Sequence, residues 1–125
     1  EGVPVGVTLD LAEGLELKKI DPEQMRMALF NLAKNAVEAL KEFETENADI
    51  TLRSSANEDH IVLTIIDNGP GMPEEIANNL FTPFATKKEG GTGLGLTICK
   101  KIIDIHGGNI RCDTSSAGTR FTIEL

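Results

Sequence analysis

The fold of this chain is decided by residues 21–43, DPEQMRMALFNLAKNAVEALKEF. Asp21 and Pro22 predict a helix start, because an Asp cap satisfies free backbone N–H groups and Pro at the first helical position lacks the N–H that would need a partner. Apolar residues then recur every three or four positions, which predicts one apolar stripe that packs against a sheet. The predicted stripe consists of Met25, Leu29, Leu32, Ala36, Leu40 and Phe43.

A second face of the same helix is polar. Asn31, Asn35 and Glu38 share this face, which lies roughly a third of a turn from the apolar stripe. Polar side chains at that position can line the mouth of a pocket, or they can be the solvated side of an amphipathic helix. Taken alone, the pattern favours the solvated side.

The composition is that of one ordinary globular domain spanning residues 1–125, with 40% hydrophobic and 26% charged residues. The net charge of −8 and the absence of Trp and Tyr argue against nucleic acid as a partner. The two cysteines, Cys99 and Cys112, predict reduced filler residues and not a disulfide framework. No signal peptide or membrane-length apolar run is found, so we expect a cytoplasmic domain, cut from a longer protein whose membrane attachment stays open.

The other elements follow from periodicity. Residues 3–11 alternate as an edge strand, and residues 15–20, 50–55, 61–67, 109–113 and 119–125 are also predicted strands, with 61–67 apolar enough to be central. Residues 73–80 and 92–106 are predicted helices, the second with an apolar face at Leu94, Ile98, Ile102 and Ile105. This order predicts an α/β two-layer sandwich with helices on one face of a mixed sheet.

Two glycine-rich turns have the composition of a nucleotide pocket. In Asp67-Asn-Gly-Pro-Gly71 a carboxylate can accept a hydrogen bond from an exocyclic amine, while Gly69 and Gly71 let the backbone approach a flat ring. Gly93-Leu-Gly95 opens a predicted helix, where free N–H groups favour phosphate. Neither turn has the Rossmann spacing or the Gly-Lys-Ser/Thr of a Walker loop, and each alone is a weak signal.

Five segments in order make a stronger pattern. They are Asn31-Leu-Ala-Lys-Asn35-Ala, Asp67-Asn-Gly-Pro-Gly71, Phe81-Thr-Pro-Phe84, Gly91-Thr-Gly-Leu-Gly-Leu96 and Gly118-Thr-Arg-Phe121. Together they closely resemble the N, G1, F, G2 and G3 boxes of the catalytic ATP-binding domain of sensor histidine kinases. That family shares its Bergerat (GHKL) fold with gyrase, mismatch-repair and chaperone ATPases. The resemblance covers nearly the whole chain, and Asn35-Ala-Val-Glu-Ala39 is closest to the nitrogen-regulation and PAS-linked kinases.

The resemblance implies a mostly antiparallel sheet, about three helices on one face, and a mobile ATP lid between Phe84 and Gly91. It also implies roles for single residues. Asn35 would coordinate Mg²⁺ at the phosphates, supported by Asn31, and Asp67 would bind the adenine amine with help from Gly71 and, through water, Thr119. The remaining nucleotide-binding positions implied are Gly69, Lys87 or Lys88 at the γ-phosphate, and Thr92, Gly93, Leu94, Gly95 and Leu96 around the other phosphates.

Two departures from the family pattern stand out. Many members carry Lys and then an aromatic residue where this chain has Glu38 and Ala39, so the neutralisation of phosphate is expected to shift to Lys87, Lys88 or Lys34. Glu38 either orients a Mg-bound water, or meets the incoming acceptor, or does neither. The phosphoacceptor segment of the family is also absent, and His60 and His106 are interpreted as structural or surface residues.

The resemblance therefore implies a histidine kinase catalytic half that is monomeric, binds ATP and turns over little alone. Its expected partners are a dimerisation and histidine-phosphotransfer domain and, after it, a response regulator receiver domain. Three alternatives fit the sequence less well. A GHKL-type ATPase is disfavoured because Asn31 stands where those enzymes have a water-activating Glu, and an anti-sigma serine kinase is disfavoured by the residues near Glu38. A non-catalytic nucleotide-sensing docking module is disfavoured by Asn35, Asp67 and the lid lysines.

Overall fold

The structure is a computed structural model that describes residues 5–10, 21–56, 60–81 and 95–125. The predicted strand at residues 15–20 and the predicted lid, with Lys87 and Lys88, lie outside the described residues. The elements in chain order are β1 (Gly6–Asp10), α1 (Pro22–Glu42), β2 (Asp49–Ala56), β3 (Ile61–Asp67), α2 (Glu74–Asn78), α3 (Gly95–Ile105), β4 (Asn109–Ser115) and β5 (Gly118–Glu124).

The strands of the described residues form one five-stranded sheet in the order β1-β2-β3-β5-β4. β1 runs parallel to β2, and the other pairs are antiparallel. The predicted mixed, mostly antiparallel sheet is confirmed, and among the described strands β1 lies at an edge and β3 at the centre, as predicted. The pairing of β3 with β5 places Asp67 opposite Thr119, so two predicted site residues meet at one end of the sheet.

Helix α1 begins as predicted. The Asp21 carboxylate accepts hydrogen bonds from the backbone N–H groups of Glu23 at 3.0 Å and Gln24 at 3.3 Å, and Pro22 is the first helical residue. The buried residues of the helix are Met25, Ala28, Leu32, Ala36 and Leu40. The prediction that Phe43 belongs to the buried stripe is wrong, because the helix ends at Glu42 and the Phe43 side chain is 59% exposed.

Helix α3 buries a different face from the one predicted. Its buried side chains are Leu96, Cys99, Ile102 and Ile103. Of the apolar face predicted from spacing, Ile102 is buried, whereas Ile98 and Ile105 are 42% and 63% exposed. The apolar residues of α3 span about half of its circumference, which is wider than one stripe, and packing against α1 and β4 selects the part centred on Cys99 and Ile103.

His106 joins the end of α3 to the start of α1. Its Nε2 accepts a hydrogen bond from the backbone N–H of Asp21 at 3.0 Å, and its Nδ1 lies 2.8 Å from the carbonyl oxygen of Ile102. A backbone nitrogen can only donate, so Nε2 carries no proton and Nδ1 donates to Ile102. The predicted structural role of His106 is therefore confirmed, and Gly107 ends the helix with φ 73°.

Both cysteines are free, as predicted. Cys99 is fully buried, and burial raises the pKa of its thiol to about 12. Burial also raises the pKa of the half-buried Cys112 to about 11. Since the thiolate is the reactive form, both residues are expected to be inert at neutral pH. Among the described residues, no helix is long and apolar enough to cross a membrane.

Candidate functional site

A cavity of about 370 Å³ opens between α1, α2 and the adjoining ends of β3 and β5. Its floor is made of buried side chains, namely Ala36, Asp67, Leu80, Thr119 and Phe121. Its exposed rim consists of Glu42, Phe43, Pro70, Pro73 and Ile76. Asn35, Ala39, Gly71 and Met72 complete the lining. The cavity is thus mainly apolar with a few polar groups, which is typical of a small-molecule site.

Asp67 is the ionisable group on the floor of this cavity. It is only 8% exposed, and one carboxylate oxygen accepts a hydrogen bond from the backbone N–H of Gly69 at 2.9 Å. Burial raises the pKa of Asp67 above its usual value, while hydrogen bonds with the backbone of Gly69 and Thr119 act in the opposite direction. A carboxylate held in this way presents an acceptor of fixed direction to a ligand donor.

The turn after β3 is fastened to the β4–β5 hairpin. The backbone N–H of Met72 donates to the hydroxyl oxygen of Thr114 at 2.9 Å, and that oxygen lies 3.2 Å from the hydroxyl oxygen of Thr119. Sequence reasoning missed Thr114. The available signal was its place opposite Thr119 once the hairpin turn at residues 116–117 is recognised.

The glycines of the site make room for protein backbone. Gly71 has φ 77°, and a Cβ atom there would overlap the carbonyl oxygen of Ser115. Gly118 has φ 142°, and a Cβ atom there would overlap the carbonyl oxygen of Asp67. The predicted reason for Gly71 was the approach of a ligand ring, whereas in the structure its missing side chain makes room for the hairpin.

The predicted site residues are only partly brought together. Asn35, Asp67, Gly71 and Thr119 line the cavity. Gly69 is buried beneath it, where a Cβ atom would lie 3.2 Å from the side chain of Leu40. The remaining predicted residues on α1 are outside the lining, namely Asn31, Lys34 and Glu38. Lys87, Lys88, Thr92, Gly93 and Leu94 lie outside the described residues.

Lys34 and Glu38 form an exposed pair on α1. Their Nζ and Oε1 atoms are 4.0 Å apart, and the side chains are 63% and 44% exposed. A pair with this spacing and exposure contributes little to stability. The roles predicted for both residues in phosphate chemistry stay predictions.

Within the part of the chain that the structure describes, α3 begins at Gly95. Backbone N–H groups in the first turn of an α-helix have no acceptor within that helix, and Leu96 lies in the first described turn. The hydroxyl of Thr97 donates to the carbonyl oxygen of Phe81 at 3.2 Å. This contact joins the first described turn of α3 to Phe81, three residues beyond the end of α2.

Comparison with known proteins gives a consistent result. Residues 20–125 match the family model described as histidine kinase-, DNA gyrase B-, and HSP90-like ATPase. The chain is 40% identical over 102 residues to the C4-dicarboxylate transport sensor protein DctB of Rhizobium meliloti. This match covers 82% of this chain and 16% of DctB. It is 36% identical over 115 residues to the sensory histidine kinase/phosphatase NtrB of Salmonella typhimurium, which covers 84% of this chain and 32% of NtrB.

Solved structures agree. The catalytic domain of histidine kinase ThkA superposes with a TM-score of 0.84 at 35% identity, covering 97% of this chain and 78% of that domain. ThkA has also been solved in complex with the response regulator protein TrrA, with a TM-score of 0.77 at 30% identity, covering 97% of this chain and 34% of that one. The chain spans less than a third of the length of the curated relatives DctB and NtrB.

Proposed function

Since this chain belongs to the histidine kinase-, DNA gyrase B- and HSP90-like ATPase family, among the catalytic domains of sensor histidine kinases, we propose that it binds Mg-ATP for transfer of the γ-phosphoryl group to a histidine. The acceptor histidine would lie on a dimerisation domain of the same kinase. The observation that carries the proposal is one cavity lined by both Asn35 and Asp67. These residues come from two of the sequence boxes on which the resemblance rests.

In this proposal Asp67 selects the base. Its carboxylate, held by the Gly69 N–H on the cavity floor, would accept a hydrogen bond from the exocyclic amine of adenine. Thr119 lines the cavity beside it and would complete the polar contact through a water. The apolar floor around these groups, including Leu80 and Phe121, excludes water and strengthens the bond.

The residues present also suit a magnesium ion. No group of three or more His, Cys, Asp or Glu side chains that could hold a metal occurs among the described residues. Mg²⁺ in nucleotide sites usually keeps several waters and takes phosphate oxygens with only one or two protein ligands. The Asn35 amide oxygen, on the cavity wall, would be such a ligand, with Asn31 one turn earlier in support. When bound, the ion would neutralise phosphate charge, which a chain of net charge −8 otherwise repels.

The rest of the reaction is assigned to groups near α3 and to a partner. The phosphates would be held by backbone N–H groups in the first described turn of α3 and by Lys87 or Lys88. After transfer to the histidine, a response regulator receiver domain would take the phosphoryl group. Phosphoryl transfer needs mainly positioning and charge neutralisation, so a domain without its own nucleophile suffices once the acceptor is supplied. A cytoplasmic site of action follows from the use of ATP.

The test mixes this chain with the dimerisation and phosphoacceptor domain of its own kinase and γ-labelled ATP. We expect acid-labile label on the acceptor, and a loss of at least about a hundredfold with Asn35→Ala. Asn109→Ala is the matched control, because Asn109 is exposed at the start of β4 and away from the cavity. Circular dichroism of each variant checks that the fold is kept.

Two results would contradict the proposal. Nucleotide binding without any transfer to the acceptor domain would favour a docking module. Equal transfer by wild type and Asn35→Ala would remove the metal role assigned to Asn35.

A further inference from the structure

The rim of the cavity carries an exposed aromatic side chain to which the proposed function gives no role. Phe43 follows the last residue of α1 and is 59% exposed, yet it lines the cavity. Ile76, on α2, lines the same cavity and is 41% exposed. Both side chains therefore offer apolar surface that a ligand in the cavity would cover.

The position of Phe43 is fixed by the end of the helix. Its own backbone N–H donates to the carbonyl oxygen of Ala39 at 3.1 Å. Beyond it, the N–H of Glu44 donates to Lys41 at 3.2 Å and the N–H of Thr45 donates to Leu40 at 3.1 Å, which is the Schellman pattern. The backbone that carries the Phe43 ring is thus held in an ordered turn, so it needs little rearrangement when the ring contacts a ligand.

Phe43 also lies at the end of the cavity where the base is expected. It follows Asn35 by eight residues, which is about 12 Å along a helix axis. Asp67 lies near the end of α1 that carries Phe43. A Cβ atom built on Gly69, two residues after Asp67, would lie 3.2 Å from the side chain of Leu40, and Leu40 is three residues before Phe43. Ala39, one turn before Phe43, lines the cavity with a methyl group and leaves the space open.

We propose that Phe43 is a further binding residue for the nucleotide, whose ring packs against the solvent-facing side of the purine base. Ile76 supplies apolar contact from α2, and Phe121 on the floor faces the base from within the protein. This inference rests on the proposed function, because it takes the base from the assignment of Asp67. Aromatic surface is well suited to a purine, since every base has a flat π face.

The experiment measures Mg-ADP affinity by calorimetry for Phe43→Ala and Phe30→Ala. Phe30 is the matched control, being on the same helix and 64% exposed but outside the cavity lining. We expect Phe43→Ala to weaken binding about tenfold, which corresponds to about 1.4 kcal/mol, and Phe30→Ala to change it less than about twofold. The Mg-ADP affinity of Phe43→Leu should lie between those of wild type and Phe43→Ala.

Failure of this inference is separable from failure of the proposed function. If wild type binds Mg-ADP and Asp67→Asn weakens the binding, but Phe43→Ala behaves like Phe30→Ala, the role of Phe43 is overturned while the proposed function stands. If wild type binds no adenine nucleotide, the proposed function fails and this inference fails with it.

Discussion

Asp67 shows how a residue proposed to bind the base can lower the stability of the fold. It is buried on the cavity floor, and its pKa is raised because burial disfavours the charged form. Gly118 is required behind it, since any side chain there would overlap the Asp67 carbonyl oxygen. Asp67 was found from sequence because it follows an apolar strand and precedes two glycines. The contact with Gly118 was not predicted, because it joins residues that are distant in sequence.

The raised pKa of Asp67 gives a prediction with a definite sign. The folded state holds the proton more tightly than the unfolded chain, so the stabilising contribution is complete below the unfolded pKa of 3.8 and is lost as the pH rises through the folded pKa. At pH 7, well above the unfolded pKa, burial of Asp67 therefore lowers the stability of the folded state. We expect Asp67→Asn, whose amide oxygen can still accept from Gly69, to be at least as stable as wild type at pH 7 in urea unfolding.

The same variant is expected to lose about tenfold or more in Mg-ADP affinity, because a charged acceptor is replaced by a neutral one whose amide group can also turn a donor towards the adenine amine. Calorimetry at pH 7 measures this. A variant that unfolds at clearly lower urea than wild type at pH 7 would contradict the sign worked out for Asp67. Unchanged affinity would contradict its assignment to the base.

Helix ends show which elements could be predicted from local sequence. The start of α1 followed from Asp21 and Pro22, and the end of α3 followed from Gly107, since caps depend on residues adjacent in the chain. Which face of a helix is buried was less predictable. Ile98 and Ile105 belong to the apolar face predicted from spacing but are exposed, because α3 carries more apolar residues than one stripe needs and packing against α1 selects among them.

The end of α1 gives an element-scale prediction. Glu44 occupies the position after the helix cap with φ 47°, a left-handed conformation that costs a residue with a Cβ atom about 1 kcal/mol. Glycine adopts this conformation without that cost. We expect Glu44→Gly to stabilise the domain by about 0.5–1 kcal/mol, measured as a higher urea midpoint with an unchanged slope. Lys41→Gly, within the last helical turn, is the control and should destabilise by a similar amount.

At the scale of the whole molecule, the sheet order explains why residues from separate sequence boxes line one cavity. β3 and β5 are neighbours, so the turn after Asp67 meets the hairpin before Thr119, and α1 crosses the same end of the sheet with Asn35 and Phe43. Sequence periodicity predicted the layers and the central strand. It could not predict that Met72 bonds to Thr114, because that contact depends on a pairing across forty-two positions of the chain.

Because the cavity is built from α1, α2, β3 and β5 together, a bound nucleotide should stabilise the entire domain. A ligand that binds only the folded state at a concentration of a hundred times its Kd adds about 2.7 kcal/mol. For a domain of 125 residues this corresponds to a Tm increase of about 10 °C. Scanning calorimetry with Mg-ADP measures the increase, and removal of Mg²⁺ with a chelator should abolish most of it.

The Tm of Asp67→Asn should increase by only about 2–5 °C at the same nucleotide concentration, since a tenfold weaker Kd leaves about half of the stabilisation or less. If the Tm of Asp67→Asn increased as much as that of wild type, the nucleotide would bind elsewhere, because the stabilisation depends only on the Kd of the occupied site.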